Sequence, residues 1–124
     1  MNQPFSIAAP LLPVSDLTPA IAISAKGLQK QYGTVTAVQG IDFTIGQGEL
    51  FGLIGPDGTS KTTTFHILSG IMEATAGEVT VLGRSPRDVR SMTGYLTQQF
   101  SLYLDLSIHE NLQYVAGLRQ VPDE

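Results

Sequence analysis

The sequence has no cysteine, which excludes disulfides, thiolate zinc sites and thiol nucleophiles. It has two histidines, His66 and His109, and neither belongs to a His/Cys cluster, so the pattern holds no all-protein metal site. Seven basic residues against eleven acids give a net charge of −4, which argues against a nucleic-acid partner. No apolar run approaches the roughly 20 residues of a membrane-spanning helix. Residues 1–19 contain no Lys or Arg and carry Pro4, Pro10, Pro13 and Pro19. They therefore lack the basic start and unbroken apolar stretch of a signal peptide. They read as a flexible leader, and a cytoplasmic location is expected by default. What remains, at 42% hydrophobic and 15% charged, is ordinary for a globular chain, and 124 residues fit one domain or part of a larger one.

Partly alternating, β-branched residues predict a strand over Ile21–Lys26 and another over about Ile41–Ile45, followed by a turn on Gly46-Gln47-Gly48. Leu50, Phe51, Leu53 and Ile54 form a short continuous apolar run, the pattern of a strand buried on both faces. A glycine-rich stretch follows at once. Lys61 to Met72 then reads as a helix, with Phe65, Leu68 and Met72 at core-facing spacing and Ile67 and Ile71 beside them. Further strands are expected at Glu78–Leu82 and in "MTGYLTQ", with one helical turn over Pro86–Ser91. Ser107 and Glu110 have capping-box spacing and start a last helix that runs to about Arg119. Arg84, Arg87 and Arg90 read as a solvated basic face, and His66 and His109 as surface residues. Strands alternating with helices indicate an α/β layer architecture.

The stretch "GPDGTSKTTT" carries the chemistry. A phosphate-binding loop reads G-x-x-x-x-G-K-[ST]. Here Gly55 is followed by Pro56, Asp57, Gly58 and Thr59, then Ser60, Lys61 and Thr62, so three of the four fixed positions agree. The setting fits, with an apolar strand before the loop and an amphipathic helix after it. Unpaired N–H groups and the helix dipole together attract anions at such a helix start. Lys61 is placed for β- and γ-phosphates and the Thr62 hydroxyl for Mg²⁺, with Thr63 beside it. The bland alternative is a glycine-rich strand-to-helix turn with one exposed lysine.

From about Ile23 to Arg119 the chain resembles the ATP-binding subunits of ABC transporters. "GPDGTSKTTT" is similar to that family's "GPNGAGKTTT", "LQKQYG" to its adenine-stacking segment, and "GYLTQQFSLYLDLSIHENL" to its Q-loop region. The resemblance implies an α/β fold of the P-loop NTPase type: an incomplete ABC nucleotide-binding domain over 20–124 with an N-terminal β subdomain. It implies that Tyr32 stacks on adenine and that Gln98 approaches Mg²⁺ and the attacking water. ATP and Mg²⁺ are the implied cofactors. The implied partners are a membrane permease and a second ATP-binding subunit, as homo- or heterodimer, with the chain peripheral at the membrane when assembled. Asp57 and the tail "ENLQYVAGLR" are most similar to drug-efflux exporters. The blander rivals are Tyr32 as a half-buried core aromatic and Gln98 as a plain polar strand end, and for Tyr32 the flat ring and its spacing favour stacking.

Ser60 stands where the pattern has glycine. A Cβ in a left-handed backbone costs on the order of 1–2 kcal/mol, so a loss of nucleotide affinity is expected there. Asp57 adds a carboxylate near an anion site. The family's "LSGGQ" segment, its apolar strand ending in Asp-Glu and its switch histidine have no counterpart in the 124 residues, so binding without turnover is expected of them alone. A non-catalytic module that docks on a permease or a homologous subunit is the alternative.

Overall fold

The computed structural model describes Ser6–Ile7 and residues 20–56, 58–99 and 101–122. They fall in two compact units, Met1–Thr93 and Gly94–Glu124.

The first unit is built on a three-stranded antiparallel sheet. Its strands are β2 (Ile21–Tyr32), β3 (Val35–Gly46) and β5 (Ala76–Val81), in the order β3-β2-β5. Both long strands exceed the expected Ile21–Lys26 and Ile41–Ile45, because the chain continues through Gly27 instead of stopping there. Gly27 adopts a φ of +57°, and its N–H donates to the Asp42 carboxylate at 2.7 Å. The register shifts between Ala25 and Leu28, so Gly27 marks a bulge and not an end. A tight turn at Gly33-Thr34 then pairs Tyr32 with Val35. The sheet packs Ala25, Leu28, Val38, Ile41 and Phe43 against Ile67 and Leu68 of the helix α1 (Thr59–Leu68), forming the core.

Helix α1 starts two residues before and ends four before the expected Lys61–Met72. Gly70, at φ +74°, turns the chain back, and Gly70, Ile71 and Met72 all return N–H bonds to the Ile67 and His66 carbonyls. A Cβ on Gly70 would lie 2.6 Å from the Pro86 carbonyl oxygen, so glycine is required twice over. The apolar face is also narrower than its spacing suggests. Ile67 and Leu68 are buried, while Phe65 and Ile71 point to solvent.

The expected doubly buried strand at Leu50–Ile54 is reduced to β4 (Leu53–Ile54), which pairs with β1 (Ser6–Ile7) in a two-stranded sheet. Leu50 and Ile54 are exposed. An apolar run is buried on both faces only where strands flank it and layers cover it, and among the described residues only Ser6–Ile7 pairs with it. Apart from those two residues the expected leader, 1–19, lies outside the described residues. Of the single turn expected at Pro86–Ser91, the structure makes hydrogen-bonded turns and a short 3₁₀ segment, Arg90–Met92.

"MTGYLTQ" begins at the end of that 3₁₀ segment and forms no strand; its remainder from Gly94 opens the second unit in irregular backbone, with Leu96 93% exposed. Helix α2 (Ile108–Leu118) follows the capping box as expected. The Glu110 N–H donates to the Ser107 hydroxyl at 3.2 Å, and the Ser107 N–H donates to the Glu110 carboxylate at 2.8 Å. Buried Asn111 holds the preceding loop, accepting from the Tyr103 N–H at 2.8 Å and donating to the Tyr103, Leu106 and Ser107 carbonyls.

Candidate functional site

The expected phosphate loop spans the gap between β4 and α1, as its pattern requires. Gly55 and Pro56 leave the strand, Gly58 caps the helix in extended backbone, and Thr59 opens it. Asp57 lies outside the described residues. The Lys61 side chain turns back along the loop. Its ammonium donates to the carbonyls of Gly55 at 2.8 Å and Pro56 at 2.5 Å, bracing the loop between the end of β4 and the first turn of α1. At the helix start no side chain caps the free N–H groups, and the first turn carries no acid. Both features leave the partial positive charge of the helix end available to an anion. The residues present therefore fit a polyphosphate.

Ser60 corrects the expectation of strain. It is the second residue of α1, it is 7% exposed, and the only non-glycine residues with positive φ among those described are Leu82 and Gln120. The serine thus sits in helical backbone, and the left-handed cost does not arise. Its carbonyl accepts from the Thr64 hydroxyl at 2.7 Å, which ties the first turn to the second. Thr62 is exposed at the head of the helix, while Thr63 and Thr64 are buried beneath it.

Tyr32 ends β2 as a residue 45% exposed, and the structure gives it partners that the sequence did not suggest. Its hydroxyl donates to the Met72 sulfur at 2.9 Å, and the Lys30 ammonium lies 5.4 Å from the ring centroid. Lys30 in turn donates to the Glu73 carbonyl at 2.8 Å. No local pattern could have flagged the Tyr32–Met72 and Lys30–Glu73 bonds, because they join residues 40 and 43 positions apart. Helix α1, about 15 Å long at 1.5 Å per residue, runs between Lys61 at its head and the turn that leads to Met72. Gln98 belongs to the second unit, exposed and in a bend, and not at the strand end expected of it. His109 is exposed and His66 half-buried. Arg84, Arg87 and Arg90 are all exposed, with Arg87 3.4 Å from Glu73.

Comparison with known proteins gives the family. A family profile described as ABC transporter matches residues 38–124. The chain is 38% identical over 100 residues to the probable multidrug ABC transporter ATP-binding protein YbhF of Escherichia coli K12, covering 77% of this chain and 17% of that one. It is 35% identical to the lipopolysaccharide export system ATP-binding protein LptB of the same organism, covering 78% and 43%. It is 38% identical to the spermidine/putrescine import ATP-binding protein PotA of Rubrobacter xylanophilus, covering 81% and 27%. A solved structure described as the ATP-binding subunit of an ABC transporter superposes with a TM-score of 0.69 at 25% identity, covering 82% of this chain and 44% of that one. The chain belongs to the ABC transporter ATP-binding family, and its fold is the α/β P-loop type with an N-terminal β subdomain. It spans less than half the length of these relatives. Among the described residues no helix is long and apolar enough to cross a membrane.

Proposed function

We propose that the chain is the nucleotide-binding part of an ATP-binding subunit of a membrane exporter, and that it takes MgATP at Gly55–Thr63. The brace from Lys61 to the Gly55 and Pro56 carbonyls, at the head of a helix with no side-chain cap, carries this reading. On binding, Lys61 meets the β- and γ-phosphates, N–H groups of the first turn of α1 receive phosphate oxygens, and the Thr62 hydroxyl faces Mg²⁺. The metal supplies neutralisation of phosphate charge. Tyr32 takes the adenine ring. The partners are a membrane permease and a second ATP-binding subunit, with this chain at the cytoplasmic face. Export rests on the resemblance of Asp57 and "ENLQYVAGLR" to drug-efflux subunits. It is supported by the names of the multidrug and lipopolysaccharide relatives and opposed by that of the importer of equal identity.

Calorimetric titration of MgATP into the chain and into its Lys61→Ala variant tests the reading. Saturable binding that weakens about tenfold or more in the variant is expected, the size of losing charge-assisted hydrogen bonds. No binding by the unsubstituted chain would leave the docking-module reading in its place.

A further inference from the structure

The end of β2 is fastened to the segment after α1 by four hydrogen bonds. The Thr75 N–H donates to the Gln29 carbonyl at 2.9 Å, and the Gln31 N–H donates to the Thr75 hydroxyl at 3.0 Å. Lys30 donates to the Glu73 carbonyl, and the Tyr32 hydroxyl to the Met72 sulfur. The first two bonds hold backbone, while the other two hold the surroundings of one aromatic ring. A tyrosine at a strand end next to a turn would otherwise be free to rotate about χ1 and χ2. Here its tip is tethered by a sulfur acceptor and the Lys30 ammonium stands near the ring, itself anchored at the Glu73 carbonyl.

We infer that Met72 and Lys30 are positioning residues for Tyr32: the Met72 sulfur fixes the direction of its ring and the Lys30 ammonium occupies one side of it, leaving the other to a purine base. The inference rests on the proposed stacking of adenine on Tyr32. A ring held in place before the ligand arrives loses less side-chain entropy on binding, so the tether contributes to affinity without touching the nucleotide. A cation near the ring also draws on its π electrons, which favours an electron-rich purine on the free side. The effect is therefore confined to the base. A ligand with phosphates and no base does not feel it.

The test compares MgATP with inorganic tripolyphosphate on the full chain by calorimetry. Met72→Leu removes the acceptor and keeps the bulk, whereas alanine would enlarge the adjoining cavity of about 180 Å³. Met72→Leu and Tyr32→Phe are each expected to weaken MgATP by about threefold, the order of one weak hydrogen bond, and to leave tripolyphosphate unchanged. The double variant is expected to lose no more than either single one. Met72→Gln, which restores an acceptor, is expected to recover the affinity, and Lys30→Met to lower MgATP binding alone.

If Tyr32→Ala lowers the ratio of MgATP to tripolyphosphate affinity while Met72→Leu and Tyr32→Phe do not, stacking stands and the positioning role falls. Equal weakening of both ligands by Met72→Leu makes Met72 a structural residue and overturns the inference. A ratio unchanged in Tyr32→Ala, or no MgATP binding at all, removes the stacking reading and the inference with it.

Discussion

The ammonium of Lys61 and the carbonyl oxygen of Gly55 stand 2.8 Å apart, six positions of sequence from each other. The lysine is thus part of the loop's own architecture before any phosphate is present. Lys61→Ala should loosen the loop in the nucleotide-free chain. Hydrogen–deuterium exchange of the amides from Gly58 to Lys61 is expected to accelerate by about tenfold, the scale of a lost charge-assisted bond. Unchanged exchange would mean that the loop keeps its shape without the brace.

Ser60 lies in helical backbone, so replacing it with glycine relieves no torsional strain. Ser60→Gly is expected to change MgATP affinity by less than about threefold, where 1.4 kcal/mol would be tenfold. Calorimetry of the two forms measures this. A tenfold gain would place the serine Cβ in the path of the phosphate.

Gly77 has a φ of +91°, and a Cβ there would collide with the Gly27 carbonyl on the facing strand. Gly77→Ala must strain the backbone or separate β5 from the bulge in β2. A loss of about 1–3 kcal/mol of unfolding free energy is expected from urea denaturation. A wild-type midpoint in the variant would show that β5 shifts freely.

The Ser107 hydroxyl and N–H both donate to the Glu110 carboxylate and lower its pKa from the ordinary glutamate value. A carboxyl whose folded pKa lies below its unfolded one stabilises the fold above the unfolded pKa, and that contribution is lost as pH falls through the folded value. The start of α2 should therefore fray in acid below the ordinary glutamate range and hold at neutral pH. Ser107→Ala should bring the fraying to neutral pH, since removing an N-cap hydroxyl costs about 1 kcal/mol. The Glu110 amide resonance, followed against pH in both forms, reports it. An amide indifferent to pH would separate the cap from the carboxylate charge.

The capping box and the phosphate loop were legible because each is written in a few consecutive residues whose hydrogen bonds are local. The bulge at Gly27 was not, since it depends on Asp42, fifteen positions away. A glycine read alone looks like the end of a strand, which is why β2 was expected to stop at Lys26. The apolar stretches at Leu50–Ile54 and "MTGYLTQ" were read as strands from composition, but a strand exists only where another supplies its hydrogen bonds. The helix boundary at Leu68 was misplaced because Met72 keeps the helical spacing after Gly70 has reversed the chain. The glycine at Ser60 in the family pattern suggested a backbone conformation that this chain does not adopt.

β2 lies between its two neighbours, and they reach it by different routes. β3 follows through a two-residue turn, whereas the Gln31–Thr75 bond joins residues 44 positions apart. Between those residues lie β3, β4, the phosphate loop and the whole of α1. The hairpin can form in microseconds from local contacts, but docking of β5 must first meet the entropy of closing that long loop. In kinetic terms the hairpin is expected to be the early event and β5 the latch. The Tyr32 tether to Met72 closes with that latch, so it is absent from a chain that has formed only its hairpin.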